Sequence, residues 1–429
     1  MVNRTACCNK RRRRSWSTIA AVVLAGVDVL CPRVAVAQDN RPYVVVFDRG
    51  MTPAAGTTDL LTLERAVADV EDRWLAPSRF DESTKTRRAF GIGYRLGKWY
   101  GLDLPQDHFF MVVAHEVFGH GSRLREIDAH GISYGFDVPI PYGPGGGVTE
   151  FRGDVVVTRG DALAIDTAGI EAQNVLADHI GSQAIMSGAI HYREAWLYLE
   201  SRLDGLRYIR SVSPRSSEGH DVKSFLLDFN DGCDPPLCSP LSASALKRRA
   251  LLMLADPMLA YAGYAWAMSY LIHGRPSGAV PMLGLPWGLQ YLPALRFEMT
   301  PYGTAVTMEH NFVRHNRRTS LSVGVGDTGR ERAWDVGVVA TNVVQRAWLR
   351  GDFAVTVWRQ PGLDASPNAQ TFMTGALGTA TARIPFAGDS GPAKRAAVLL
   401  VVGYKSDGFV RGERLHAGPI IRVGVTYHP

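Results

Sequence analysis

Residues 109–120 read FFMVVAHEVFGH, and they decide how the first half of the chain is interpreted. The apolar run from Phe109 to Ala114 predicts a buried core helix. His115 and Glu116 would lie at the end of this buried helix, and His120 comes five residues after His115. A His-Glu pair followed by a second His is the arrangement that zinc hydrolases use. The segment therefore predicts a helical first half and metal chemistry at the end of one of its helices.

The spacing of the two histidines is unusual for a metal site on a helix. Common zinc-peptidase motifs have histidines at i and i+4, which lie about 40° apart on an ideal α-helix, whereas i and i+5 lie about 140° apart. His115 and His120 are five residues apart, so a regular helix would hold their imidazoles on different faces. A π-bulge returns i and i+5 to one face, and Gly119 and Gly121 are weak helix formers at the place where the helix would widen. The sequence therefore predicts a π-bulge at the motif.

The His-Glu-x-x-Gly-His pattern resembles the motif of the dipeptidyl peptidase III family of zinc exopeptidases. His115, Glu116, Gly119 and His120 match its fixed positions one by one. In that family two histidines and a more distant glutamate hold the zinc ion. The resemblance implies His115, His120 and Glu171 as ligands of one Zn²⁺ per chain, with Glu116 as the general base.

A second motif helix is predicted at residues 161–185, where Glu171 and Asn174 fall near one face. Asn174, Asp128 and His130 are candidates to orient a ligating imidazole by hydrogen bonding. Chance placement is the alternative for all three. No donor to an attacked carbonyl stands out, because the candidates also suit ordinary half-buried positions. They are Tyr134, Tyr142, His179, His191 and Tyr192.

The segment between the two helices is rich in glycine and proline, so it predicts a loop with short strands. Residues 148–151 would form an edge strand that pairs with an extended substrate, or an ordinary surface hairpin. Arg123 and Arg125 follow the motif. They would bind a substrate carboxylate, or simply complement the helix dipole.

The N-terminus has the pattern of an exported precursor. A basic cluster at residues 10–14, an apolar run at 19–30 and Ala35-Val36-Ala37 predict a signal peptide at 1–37. A membrane anchor is the alternative, but the run is short for a span and contains Asp28. The sequence therefore predicts export to the periplasm or outer membrane of a Gram-negative bacterium.

Charge and cysteine content limit the possible partners. The formal net charge of +6 lies entirely in the predicted leader, which leaves a neutral mature chain and no reason to expect nucleic acid as a partner. Cys233 and Cys238 are the cysteines outside the leader. They predict a small disulfide loop, with a two-cysteine metal site as the alternative.

The hydrophobic pattern changes to a period of two after residue 289, and it contains eight strand-like runs. They are Leu295–Tyr302, Thr304–Phe312, Ser320–Gly326, Trp334–Val343, Trp348–Trp358, Thr371–Ile384, Ala396–Tyr404 and Pro419–Tyr427. Such runs in an exported protein fit an outer-membrane β-barrel, with membrane lipid as a partner. A soluble β-sandwich or a lipocalin-like barrel is the alternative.

The predicted fold class is α+β. A mainly helical, zincin-like domain would occupy residues 38–288, and an eight-stranded antiparallel β-barrel or partial barrel would occupy 289–429. Within the helical part, the apolar stretch from Ala250 to Ile272 is broken at Asp256-Pro257. It therefore suits a core or membrane-interface helix better than a membrane span.

Three functions are consistent with these features. The leading expectation is an exported zinc metallopeptidase that hydrolyses peptide or protein substrates. An outer-membrane structural or transport protein with a catalytically retired metal site is the first alternative, although the presence of Glu116 favours activity. A metal-dependent amidase or esterase is the second.

Overall fold

Helices dominate the first part of the chain and strands the second, so the fold is α+β as the two periodicities predicted. The computed structural model describes residues 41–78, 80, 83–142, 146–153, 155–217, 219–386 and 395–428. The predicted signal peptide lies outside these residues. Among the described helices, none combines the length and the apolarity that a membrane crossing requires.

A short strand, β1 (Tyr43–Phe47), precedes the helical part. The α-helices that follow are α1 (Pro53–Trp74), α2 (Lys85–Lys98), α3 (Leu104–Val113), α4 (Gly121–Glu126), α5 (Arg159–Ser187), α6 (Tyr192–Ser211), α7 (Asp221–Asn230), α8 (Ala243–Ala250) and α9 (Pro257–Tyr264). Stretches of π-helix occur at Trp99–Asp103, Ala114–His120 and Ala265–Ile272, and 3₁₀ turns at Leu251–Ala255 and Pro286–Gly288. The predicted break at Asp256-Pro257 is confirmed, because α9 begins there with the Asp256 carboxylate capping the Met258 N–H.

Helix α5 is the centre of the helical part. It begins at a capping box, in which Thr158 and Asp161 satisfy each other's backbone N–H groups, and it ends at Gly188 with a left-handed φ of 72°. Most of its residues are buried, because it contacts α1, α6, α7 and the π-helix Ala114–His120. An element buried on nearly all sides provides a fixed platform for whatever packs on it.

The strands of the second part form one antiparallel sheet. Its long strands are β7 (Leu289–Thr300), β8 (Gly303–Arg314), β9 (Arg317–Asp327), β10 (Arg332–Arg346), β11 (Leu349–Pro361), β12 (Phe372–Pro385), β13 (Ala396–Lys405) and β14 (Gly418–Tyr427). All eight predicted runs are confirmed as strands. Short strands elsewhere are β2 (Ser133–Phe136) with β3 (Gly147–Glu150), β4 (Ala189–His191) with β5 (Ser277–Ala279), and β6 (Leu283–Leu285).

The sheet has ten strands and is open, so the eight-stranded barrel is not observed. Its order is β1-β14-β13-β12-β11-β10-β9-β8-β7-β6, which makes β1 and β6 the two edges. Helices α1 and α5 pack against each other. Helix α1 contacts the edge strand β1, and α5 contacts β7, which lies next to the other edge. The sheet therefore curves around this helix pair, with a helix-facing inner face and a convex outer face.

The helical and β segments share their cores. Leu292 of β7 and Val313 of β8 belong to the same buried cluster as residues of α3, α5 and α6, and Phe297 packs with residues of α7 and α8. The described chain accordingly belongs to one compact unit. Cys233 and Cys238, the pair expected from the sequence, are joined in a disulfide with Cα atoms 5.7 Å apart.

Candidate metal centre

The predicted π-bulge is confirmed at the histidine motif, where residues Ala114–His120 form a π-helix between α3 and α4. The wider turn brings positions i and i+5 onto one face. The imidazole centroids of His115 and His120 are 4.9 Å apart, with the rings inclined at 63°. The two side chains therefore meet, as the motif requires for a shared ion.

A carboxylate completes the group from a distant part of the chain. Asp221 opens helix α7, and its Oδ2 lies 3.2 Å from Nε2 of His115 and 3.3 Å from Nε2 of His120. Ligand atoms of a tetrahedral zinc site, with bonds of about 2.0–2.1 Å, are about 3.3 Å from one another. The separations of Asp221 from both imidazoles match this spacing, so these three residues can together hold a small divalent cation.

The orientation of His120 is set from behind by a helix. Its Nδ1 lies 2.8 Å from the backbone carbonyl of Ile165 in α5, and a carbonyl can only accept, so Nδ1 carries the hydrogen. Nε2 is therefore the nitrogen that faces Asp221, and it can bind a metal ion after it loses its proton. Metal-ligating histidines are commonly oriented in this way.

The charges of the group reinforce one another. Burial alone lowers the pKa of His120, but the charge and hydrogen bond of Asp221, with contributions from Glu116 and the Ile165 carbonyl, raise it to about 9. Burial alone raises the pKa of Asp221, but His120 and His115 lower it well below its usual range. Without a metal ion, protonated His120 and ionised Asp221 therefore form an ion pair. A divalent cation can take the place of the proton between them.

Two glycines allow the π-helix to approach α5 closely. A Cβ on Gly119 would lie 2.7 Å from the carbonyl oxygen of Ala168 and 2.8 Å from Cα of Gly169. A Cβ on Gly169 would lie 2.2 Å from Nε2 of His115. Real Cβ atoms do not tolerate such distances. The site therefore depends on the absence of side chains at both positions.

Glu116 lies beside the two imidazoles and is buried. Its Oε2 accepts a hydrogen bond of 2.6 Å from the hydroxyl of Thr149 on β3. A Cβ on Gly147 would lie 2.6 Å from Cγ of Glu116, so β3 reaches the site because that residue is glycine. The segment predicted as an edge strand thus borders the site and holds the carboxylate of Glu116.

Tyr208 is a site residue that no sequence pattern indicated. Its hydroxyl accepts the backbone N–H of Asp221 at 3.1 Å, and its ring meets that of His115 edge-on at 6.0 Å. The ring of His220 stacks on its other side, with centroids 4.3 Å apart. Burial and the charges of Asp221 and Glu116 raise the pKa of Tyr208, so the hydroxyl keeps its proton.

Asp166 is a further carboxyl group near the imidazole of His120. Burial and the charges of Asp228 and Asp221 raise the pKa of Asp166 to about 8. The Asp166 carboxyl is therefore largely protonated at neutral pH. The protonated carboxyl of Asp166 therefore adds little negative charge beside the Asp221 carboxylate.

Glu171, expected as the third ligand, is not part of this group. Both of its oxygens accept hydrogen bonds from Nη2 of Arg123, at 2.9 and 2.7 Å, and Oε1 also accepts the N–H of Gly412 at 2.7 Å. A buried guanidinium requires such a partner, which is why the carboxylate turns to Arg123. Asp221 takes the place beside the imidazoles, and Arg123 is a structural partner.

The residues expected to orient a ligand lie elsewhere. The side-chain oxygen of Asn174 accepts a hydrogen bond of 2.6 Å from Arg202. Asp128 and His130 are exposed in the turn after α4. The described structure gives the orienting role to the Ile165 carbonyl, which no side-chain pattern could reveal.

The expected donor residues also have other partners. Each of the five forms a contact away from the imidazoles: Tyr134 with Arg125, Tyr142 with Tyr100, His179 with Thr57, His191 with Asp72, and Tyr192 with Lys98 and Asp72. Tyr208 is instead the tyrosine that the described structure places beside His115 and Asp221.

Comparison of the chain with protein-family models, with curated proteins and with solved structures finds no match. The function is therefore inferred from the residues of the site and their geometry, because a fold alone does not determine an activity.

We expect the unmutated protein to bind zinc stoichiometrically and Asp221→Asn to bind it more than about 100-fold more weakly, since losing even an orienting partner costs about 10–100-fold. Glu171→Gln is the matched control. It also neutralises a buried carboxylate, but it should retain zinc because Glu171 binds Arg123. Competition titration against a chromophoric chelator measures both affinities. Weak binding by Glu171→Gln together with tight binding by Asp221→Asn would restore Glu171 as the ligand.

Gly169→Ala should weaken zinc binding by at least about 10-fold, because the new methyl group displaces the His115 imidazole. The free energy of unfolding should fall by no more than about 2 kcal/mol, because a gain of about 1 kcal/mol in helix propensity offsets part of the cost of about 1–3 kcal/mol for displacing the buried ring. Gly97→Ala in α2 is the control, since a Cβ there meets nothing within 4 Å. Zinc titration and chemical denaturation of both variants give the result. Unchanged zinc affinity in Gly169→Ala would contradict the close contact with His115.

Proposed function

We propose that the protein is a zinc-dependent hydrolase that cleaves peptide amide bonds. The observation that supports this most strongly is the meeting of His115, His120 and Asp221, with the carboxylate of Glu116 next to them. Two imidazoles and one carboxylate with an open fourth position are the ligands of catalytic zinc sites. A zinc ion held there would supply Lewis acidity and lower the pKa of a bound water.

Glu116 is the general base in this proposal. Its carboxylate is adjacent in sequence to the ligand His115, and the Thr149 hydroxyl fixes one of its oxygens at 2.6 Å. The other oxygen is then free of that bond and available to accept a proton from water. After attack, the same carboxyl returns the proton to the leaving nitrogen, as general acid–base catalysis requires.

Tyr208 is the proposed donor to the substrate carbonyl. Its hydroxyl lies beside Asp221, on the side of the group formed by His115. A protonated phenol is a hydrogen-bond donor, and donors directed at a developing oxyanion stabilise the transition state. The stacked ring of His220 holds the Tyr208 ring in place, so the hydroxyl does not have to reorganise during the reaction.

The edge strand β3 supports an extended substrate. It pairs with β2 on one side through residues 133–136, and Thr149 in its middle contacts Glu116. A peptide that added itself to this strand would pass alongside the general base. This arrangement favours a peptide over an ester or a small amide. Export, proposed from the N-terminal pattern, would make periplasmic peptides or proteins the available substrates.

Glu116→Gln should lower kcat by about 10²–10⁴-fold on a quenched-fluorescent peptide library while zinc content stays unchanged, because the amide keeps the shape but cannot take a proton. Glu126→Gln, a buried carboxylate bound to Arg123, is the control for loss of a negative charge in the same helix run. Equal activity of Glu116→Gln and the unmutated protein would exclude this base. A zinc-loaded protein inactive on every peptide would favour a retired site.

Tyr208→Phe should lower kcat by about 10²–10³-fold with little change in KM, because the lost hydrogen bond forms mainly in the transition state. Tyr192→Phe, also in α6, is the control: its hydroxyl contacts Asp72 and Lys98, so its loss should affect stability and spare kcat. Steady-state kinetics on the best library peptide distinguishes the two. A rise in KM with constant kcat would assign Tyr208 to ground-state binding instead.

A further inference from the structure

The outer face of the sheet carries an unusual number of exposed apolar side chains. We call them the apolar band: Val45 and Phe47 of β1, Met308 of β8, Leu321, Val323 and Val325 of β9, Trp334 and Val336 of β10, Phe353, Val355 and Val357 of β11, Ala376 and Ala380 of β12, Val402 and Tyr404 of β13, and Ile421, Val423 and Val425 of β14. Arg359, the cross-strand partner of Trp334, lies on this face at one end of the band. Soluble monomers rarely expose contiguous apolar patches of more than a few hundred Å².

The inner face is more polar than the outer one. On β8 and β9, Glu309 accepts hydrogen bonds from Arg318 at 2.7 Å and from Ser320 at 2.5 Å, and all three are buried. On β14, buried Arg422 binds Glu413 at 2.6 Å. A small apolar cluster around Trp358 shares this face. A sheet of a soluble protein normally turns its polar side chains to water and its apolar ones to the core, and here the two are largely exchanged.

Arginines border the apolar band at both ends of the central strands. Arg317 is the first residue of β9, at one end of the band. Arg332 is the first residue of β10, at the other end, where its cross-strand partner is Asp327, the last residue of β9. Both arginines are exposed. About ten residues separate these two levels along β9, or about 34 Å at about 3.4 Å per residue. For strands tilted by about 40° this corresponds to about 25 Å, the height of the apolar belt of membrane-inserted sheets.

The band also shifts along the strands from one to the next. Cross-strand partners lead from Val336 of β10 to Val357 of β11 and then to Ala376 of β12. Val402 of β13 instead faces Ala380, four residues further along β12. A belt of constant height across tilted strands produces such a stagger. An apolar patch that arose only from the loss of polar residues would have no reason to shift along the strands in this way.

We propose that the apolar band lies in the hydrocarbon layer of a lipid bilayer, with the flanking arginines at the phosphate groups. The charge pattern matches this occupant, because the band has no charge and guanidinium groups stand where the headgroups would be. A second copy of the chain fits less well, since two convex faces touch only along a strip. The proposal is independent of the metal site. It places mainly strands β9 to β14 at the membrane, because on the same face of β7 and β8 Phe297 and Val306 pack against α7 and α8.

Vesicles of dilauroylphosphatidylcholine test this with the full chain in a flotation assay. The unmutated protein should float with the vesicles, and Val336→Arg and Val355→Arg should each partition at least about 30-fold more weakly. Val156→Arg is the control, since Val156 is an exposed valine outside the sheet, and it should float like the unmutated protein. Brominated lipid should quench tryptophan fluorescence, and Trp334→Phe should remove part of that quenching.

Two results would overturn the proposal. One is an unmutated protein that stays monomeric in buffer and does not float. The other is a concentration-dependent dimer in sedimentation velocity that Val336→Arg dissociates, which would make the band an interface between copies. Circular dichroism of each variant checks that the arginine has not simply unfolded the sheet.

Discussion

The packing of the π-helix Ala114–His120 on α5 is the contact on which the candidate site depends. Gly119 and Gly169 let the two backbones approach to a distance that no side chain would permit. At that distance the Ile165 carbonyl reaches His120 and fixes its tautomer. The widened helix and the close contact act together: one turns both imidazoles to the same side, and the other holds them there.

The residue that the family motif suggested as a ligand has a different role in this fold. Glu171 and Arg123 form a buried pair that also holds the segment between β13 and β14, since Gly412 donates to Glu171 and the carbonyl of Glu413 accepts from Arg123. This pair ties α4 and α5 to the sheet. A buried carboxylate can satisfy a guanidinium or a metal ion, but the same oxygens cannot do both well. Here Asp221 is the carboxylate that lies beside the two imidazoles.

Local pattern predicted much of the structure, because it reflects interactions between neighbours in sequence. The π-helix followed from the spacing of His115 and His120, and the strands β7 to β14 followed from the period of two. Asp221 and Tyr208 could not be found in this way, since only the tertiary packing of α6 and α7 brings them to the histidines. The open sheet was missed for the same reason: β1 lies before the helices in sequence, and its pairing with β14 is a long-range event.

The two faces of the sheet explain why the helices lie where they do. The polar inner face needs partners for its buried charges, and the helical part provides them: Asp178 of α5 binds Arg296 of β7 at 3.0 Å and Arg411 at 3.0 Å. These ion pairs fix the helices to the sheet by directional contacts, whereas an apolar inner face would have permitted sliding. Since the same helix, α5, supplies Asp178 to the sheet and Ile165 and Gly169 to the candidate metal centre, the position of the site is set by the sheet that lies behind it.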